Sequence, residues 1–104
     1  MIENISKNPN VIKIADIVSD CDTHITGDII YNLIMNHINS GRNITLSFKD
    51  VSYVTPSFVN NAFIKLLKLI SIDYIKKHIK IIDCNRQVCG IIKNRFNKKS
   101  KFYA

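Results

Sequence analysis

The sequence is poor in the residues that break or cross-link a chain. Its 104 residues include three glycines, two prolines and three cysteines, and tryptophan is absent. With so little punctuation there is no linker and no low-complexity tract, and a chain of this length forms one core. No apolar run approaches the roughly 20 residues that a membrane span requires. We therefore predict a single domain over residues 1–104, without membrane association.

The opening stretch does not lead us to expect secretion. The opening stretch, MIENISKNPN, has no apolar segment of the kind found in signal peptides. The cysteines Cys21, Cys84 and Cys89 are odd in number, which favours free thiols in a reducing compartment over a disulfide framework. A cytoplasmic location is the expectation.

Acidic residues are lacking in one region only. Residues 1–83 carry nine Lys/Arg and eight Asp/Glu (net +1), whereas residues 84–104 carry six Lys/Arg and no acid (net +6). Such a charge run is commonly a solvated helix end. The alternative is a non-specific nucleic-acid interface. Its candidate residues are Arg86, Lys93, Arg95, Lys98, Lys99 and Lys101.

The apolar residues follow strand and helix periods in turn. Strands are predicted from β-branched and alternating residues, and helices from apolar positions at 3.6-residue spacing. The predicted strands are 11–18, 44–48 and 79–83, and the predicted helices are 26–39, 55–70 and 85–96. Residues 72–77 continue the second helix or form a separate turn, a strand at 2–5 could form an N-terminal hairpin, and residues 97–104 are expected to fray.

The predicted element order is β-α-β-α-β-α. Such alternation implies parallel strands joined by right-handed crossovers. The predicted fold class is therefore α/β with a small, mostly parallel sheet. Function in open sheets of this type tends to lie at the carboxyl ends of the strands.

The junction between the second strand and the second helix is the clearest candidate site. Thr55 is suited to cap the helix and Pro56 to its first position. The hydroxyls of Thr55 and Ser57 then lie at a helix N-terminus, where an anion or phosphoryl group is favoured. Helix capping alone is the simpler interpretation.

The segment ITLSFKDVSYVTPSFVNNAFIKLL resembles the signature of STAS-like domains, a bacterial family of small proteins of unknown function. That family is similar to STAS domains of the anti-sigma factor antagonist type. In a hand alignment, Ser57 falls on the serine that antagonists present to a partner kinase. Thr55 stands where antagonists carry Asp, Pro56 replaces the first Ser, and Phe58 replaces Gly.

The resemblance implies a regulatory protein-interaction module that is not an enzyme and uses no cofactor. Phosphorylation of Ser57 would switch its binding to an ATPase-fold kinase or anti-sigma factor. The contact residues implied are Tyr53, Thr55, Pro56, Ser57, Phe58, Asn60 and Asn61. Whether the domain acts as a monomer or a homodimer stays open.

Other chemistry has weaker support in the sequence. There is no P-loop and no glycine-rich phosphate cradle. Cys21, His24, Cys84 and Cys89 could be assembled into a zinc site, but the usual paired spacing of two residues is absent. His37 is interpreted as a satisfied core or boundary histidine. We predict no metal site.

Overall fold

The computed structural model describes residues 11–99. These form a three-stranded parallel sheet in the order β1-β2-β3 with five α-helices. The elements are β1 (Val11–Lys13), α1 (Ile14–Ile17), α2 (His24–Asn39), β2 (Ile44–Ser47), α3 (Pro56–Ala62), a 3-10 helix (Ile64–Lys68), α4 (Ile72–His78), β3 (Ile79–Ile82) and α5 (Arg86–Lys99). The predicted parallel α/β class is confirmed, with α1 and α4 added to the predicted order. The predicted hairpin strand at 2–5 lies outside the described residues.

The sheet buries one face of its central strand. Ile44 and Leu46 of β2 alternate with polar residues, Phe48 continues the alternation directly after the strand, and all three side chains are buried. The register places Leu46 between Ile12 of β1 and Ile81 of β3. Period-two alternation is therefore the pattern that directs this strand into the core.

The first strand is shorter than predicted. It ends at Lys13, and the next four residues form the single turn α1. The Val18 N–H donates to the Ile14 carbonyl at 3.1 Å, and both side chains are buried. A helical turn places these two residues on one side, which burial favours over the β propensity of the individual residues.

The helix α2 begins earlier than predicted. Thr23 is the N-cap, three residues before the predicted start at Thr26, and its hydroxyl accepts from the Thr26 N–H at 3.2 Å. The helix ends as expected, because Gly41 follows Ser40 with a φ of +72°. Only glycine adopts that conformation without a steric penalty. The His37 ring nitrogen Nδ1 lies 3.1 Å from the Leu33 carbonyl, so this half-buried histidine is satisfied.

The predicted helix 55–70 is broken in two. Thr55 caps α3 as predicted, but α3 ends at Ala62 and a 3-10 helix follows. Phe63, Ile64 and Leu66 are all buried. One straight helix face cannot bury positions spread this widely around the axis, and the tighter 3-10 turn changes their directions. Residues 72–78 form the separate helix α4, which Ser71 caps.

Two further expectations need correction. Cys84 and Cys89 are joined in a disulfide with a Cα–Cα distance of 5.6 Å, and Cys21 is the free cysteine. The Cys89 N–H donates to the Asn85 carbonyl, so the first turn of α5 brings the two cysteines together. Residues 97–99, expected to fray, are helical, and residues 100–104 lie outside the described range.

Helices α2 and α3 touch through their backbones. A Cβ added to Gly27 would lie 2.7 Å from the Phe58 carbonyl oxygen and 2.9 Å from the Asn61 Cβ. Such distances are too short for a side chain, so glycine is required for this approach. The contact fixes the start of α3 beside the start of α2.

Candidate functional site

The loop that leads from β2 to α3 is anchored to the loop before α2. The Thr55 N–H donates to the Cys21 carbonyl at 3.1 Å, and the Thr55 hydroxyl donates to the Asp22 carbonyl at 2.7 Å. The Thr55 oxygen also accepts from the Phe58 N–H at 3.2 Å. Thr55 therefore fixes the position at which α3 begins.

The start of α5 holds the same loop from the other side. The Gln87 amide pairs with the Val54 backbone in both directions, at 3.1 and 3.2 Å. The Asn85 amide donates to the Ser52 carbonyl at 2.9 Å, and its oxygen caps α5 by accepting from Val88 N–H at 2.8 Å. These side-chain bonds to backbone make the loop a preorganised part of the fold.

Ser57 is exposed at the second position of α3. It lies between the exposed Pro56 and the fully buried Phe58, so the exposed part of the first turn of α3 ends at Ser57. A serine at a rigid, exposed helix start is accessible to a macromolecular partner.

The helix start has fewer free donors than an anion site requires. Thr55 already binds the N–H groups of Phe58 and Val59, and Pro56 has no N–H. Capping therefore accounts for the conformation of Thr55. The structure therefore supports the simpler interpretation, helix capping, over an anion site.

The predicted contact residues separate into two groups. Tyr53, Pro56 and Ser57 are exposed, with Tyr53 at 48%. Phe58 is 0% exposed, so its side chain belongs to the core and not to a contact surface. The Ser-Phe pair alone does not show whether the Phe58 side chain points into the core or toward solvent; the position of α3 in the fold decides this.

The half-buried Asn60 and Asn61 hold α3 against its neighbours. The Asn60 oxygen accepts from the Arg95 Nε at 3.2 Å. The Asn61 amide donates to the Asp28 carboxylate at 2.9 Å, and Lys65 Nζ donates to the same oxygen at 2.7 Å. These bonds hold the pKa of Asp28 below its ordinary value, with the Lys65 bond the largest cause.

Two exposed apolar residues on α2 lie outside the predicted set. Ile25 is 62% and Ile29 44% exposed, and they are one turn apart near the end of α2 that packs on α3. Each lies about 160° around the helix from Gly27, the residue that contacts α3, so both face away from α3. We call Tyr53, Pro56 and Ser57 the "Ser57 surface".

Carboxylates in the two loops shape the electrostatics beside this surface. Asp20, Asp22 and Asp50 border a cavity of about 180 Å³ together with Tyr53. Burial, aided by Asp20 and Asp22, raises the pKa of the Cys21 thiol to about 11, and Asp22 raises the pKa of Tyr53. Cys21 is therefore protonated at neutral pH, which removes its nucleophilic form.

The basic residues of α5 do not form one stripe. Arg86 and Lys93 are seven residues apart and lie on similar sides, whereas Arg95 lies about 180° from Arg86 around the helix. Arg95 is also bonded to Asn60. Lys98 is exposed. The side chain of Lys99 and all of Lys101 lie outside the described residues. The nucleic-acid alternative receives no continuous surface from this helix.

The remaining chemical alternatives can be located in the same way. Cys84 and Cys89 bond to each other, so they are not available for the zinc arrangement considered above. Between residues 11 and 99 there is no group of three or more His, Cys, Asp or Glu placed to hold a metal ion. Within that same range no helix has the length and apolar character needed to cross a membrane.

Comparison with known families gives one match. The family model described as a STAS-like domain of unknown function matches residues 26–88, from the first turn of α2 to the first turn of α5. The matched segment includes Ser57 and both helices that flank it. No curated protein and no solved structure matches the chain.

Proposed function

Because this chain belongs to the family of STAS-like domains, we propose that it is an intracellular regulatory module that binds a protein partner through the Ser57 surface. The observation that carries the proposal is the exposure of Ser57 on a helix start fixed from two sides. A fixed surface binds without the entropy cost of ordering a loop.

The composition of the Ser57 surface suits a protein partner. The exposed Tyr53 supplies an aromatic ring on the same loop as the polar Ser57, and aromatic residues are enriched in protein interfaces. The first turns of α2 and α3 are adjacent, since the Asn61 amide lies 3.4 Å from the His24 carbonyl. A partner can therefore contact both helix starts at once.

Phosphorylation of Ser57 is the proposed switch. The Ser57 oxygen would attack the γ-phosphorus of ATP held by a partner kinase, ADP would leave, and the hydroxyl proton would pass to a base of the kinase. The product gains about −1.5 to −2 charges at pH 7. Asp20 and Asp22 border a cavity together with Tyr53, so the phosphate adds negative charge to a surface that already has carboxylates beside it and releases a partner suited to the unmodified form.

In this proposal the domain is a substrate and ligand, and the ATPase-fold partner carries out catalysis. The chain offers no activated nucleophile of its own at the site, because burial keeps the Cys21 thiol protonated. Ser57 has no histidine or carboxylate hydrogen-bonded to it within residues 11–99. These observations support a binding role over an enzymatic one.

The test compares two serine-to-aspartate variants in the source cells. Ser57→Asp places a negative charge at the centre of the Ser57 surface. Ser40→Asp places the same charge on an exposed serine at the opposite end of α2 and serves as the matched control. We expect an ATPase-fold protein to be retained by wild type and Ser40→Asp, and to bind Ser57→Asp at least about tenfold more weakly.

Mass spectrometry of the protein from the same cells should detect phosphate on Ser57. Equal retention of every partner by Ser57→Asp, together with an unmodified Ser57 in all growth conditions, would reject the proposal. Retention of nucleic acid in place of a protein partner would favour the alternative function.

A further inference from the structure

An apolar groove is lined in part by residues 43–45, at the start of β2. It runs between α4, β3 and α5 and has a volume of about 700 Å³, within the range of ligand-binding sites. Its apolar lining includes Ile72, Ile75, Ile79, Ile81, Ile92 and Phe96. The name "β3 groove" is used for this feature.

Positive charge surrounds the β3 groove. Lys76, Lys77 and Lys80 on the α4–β3 side and Lys93 on α5 contribute to its lining, with His78 beside them. No aspartate or glutamate is among the described residues that line it. Apolar floor and cationic rim together select an occupant that is both apolar and acidic.

The strand β3 gives the groove a backbone edge. In the sheet of the described residues β3 pairs with β2 on one side and ends the order on the other. The Phe48 N–H donates to the Ile82 carbonyl, so the backbone of Ile82 faces β2. Because neighbouring residues of a strand alternate their hydrogen-bonding direction, the N–H and C=O of Ile81 face away from β2. An extended chain could pair there.

We propose that the β3 groove binds an extended, acidic segment of a partner protein, which adds a strand to the edge of β3. Such a strand directs alternate side chains to opposite sides. Its apolar residues enter the groove over Ile81 and Phe96, and its carboxylates meet the lysines. Main-chain bonds supply affinity and the alternating side chains supply specificity, as in other cases of strand addition.

Charge argues against an occupant from the chain's own C-terminus. Residues 100–104, SKFYA, include Lys101 and no acidic residue. They would bring another cation to a rim that already has four lysines. The proposal is independent of the Ser57 surface, because the two regions share no residue.

The probe is a fluorescent peptide of about eight residues, a long strand's length, that alternates glutamate with valine. Its twin alternates lysine with valine. Fluorescence anisotropy with the full chain should show binding of the glutamate peptide only. The double variant Lys80→Glu/Lys93→Glu should weaken that binding by about tenfold. The matched control, Lys49→Glu/Lys68→Glu, makes the same charge change outside the groove and should leave binding unchanged.

A second peptide tests the backbone pairing without altering the protein. N-methylation of alternate residues on its pairing edge removes the donors and should weaken binding about tenfold or more, because the main-chain hydrogen bonds to β3 are lost. NMR shifts on adding the parent peptide should concentrate at residues 79–83 and on the inner face of α5.

Several results would overturn the proposal. One is failure of the glutamate peptide to bind, and another is binding that ignores both the lysine reversals and N-methylation. Saturable binding of oleate or of a DNA duplex at the same residues, without peptide binding, would assign the groove to a lipid or a nucleic acid. Peptide binding that occurs only after deletion of residues 100–104 would identify the tail as the occupant.

Discussion

The two flanks of the sheet differ in how completely their apolar residues are covered. On the α2–α3 flank, the backbones approach so closely that Gly27 has no room for a Cβ, and Asp28, Asn61 and Lys65 close the edge of the contact. On the β3 flank, isoleucines of α4, β3 and α5 line an open groove with a lysine rim. Most of these isoleucines are themselves buried, so the two flanks differ mainly at Ile81 and Phe96, which stay half-buried at the groove.

Truncating one phenylalanine on each flank should give the largest difference in the free energy of unfolding between the two flanks. Phe58→Ala removes a fully buried side chain beside α2 and should lower the free energy of unfolding by about 3–5 kcal/mol. Phe96→Ala, at the groove, removes a half-buried side chain and should cost about 1–2 kcal/mol. Urea unfolding followed by circular dichroism measures both. Equal losses would show that the groove is as well packed as the core.

The disulfide should contribute to the groove flank alone. Cys84 and Cys89 both line the groove and connect the end of β3 to α5. For a loop this short, opening the bond should cost about 2 kcal/mol through the entropy of the unfolded chain. Cys84→Ser should lower the free energy of unfolding by as much as reduction of the wild type does. Cys21→Ser keeps the disulfide, so reductant should still destabilise that variant. A wild-type protein whose unfolding curve is unchanged by reductant would contradict this.

Two glycine-to-alanine substitutions compare a position with no room for a Cβ, Gly27, with a position that has free space, Gly90. Gly27→Ala gains helix propensity but forces α2 away from Phe58, so we expect a net loss of about 1–2 kcal/mol. A Cβ at Gly90 of α5 meets no atom within 4 Å. Gly90→Ala should therefore stabilise the protein by up to about 1 kcal/mol. Thermal unfolding gives both signs, and a stabilising Gly27→Ala would refute the close contact.

The smallest expected effect is a pH dependence on the α2–α3 flank. Lys65 and Asn61 lower the pKa of Asp28 in the folded state, so the unfolded state binds more protons in the acid range. Stability from this group is present above the ordinary aspartate pKa of about 4 and is lost as pH falls through the lower, folded value. Asp28→Asn should remove that part of the acid dependence. An NMR titration that finds the Asp28 pKa at or above its ordinary value would contradict this.

Sequence patterns predicted what local physics controls. The alternation at Ile44, Leu46 and Phe48 identified a strand, and Thr55 with Pro56 identified a helix start, because both depend on neighbouring residues alone. The break after Ala62 was missed, since it depends on which surfaces are available to bury Phe63 and Ile64. A pattern of apolar residues does not contain that information.

The same limit applies to the two candidate sites. The resemblance identified Ser57, but the direction of Phe58 required the three-dimensional position of α3. The β3 groove was not predicted at all, because its lysines come from α4, β3 and α5, which are separated in the chain. Residues 1–83 have almost no net charge, and only folding collects these lysines around one feature.

The most direct measurement of the central claim is photo-crosslinking in the source cells. A benzophenone amino acid replaces Ser57 in one variant and the exposed Ser40 in the other, and adducts are identified by mass spectrometry. We expect a specific adduct to an ATPase-fold protein from position 57 and none to that protein from position 40. The absence of any protein adduct at position 57, or the same adducts from both positions, would contradict it.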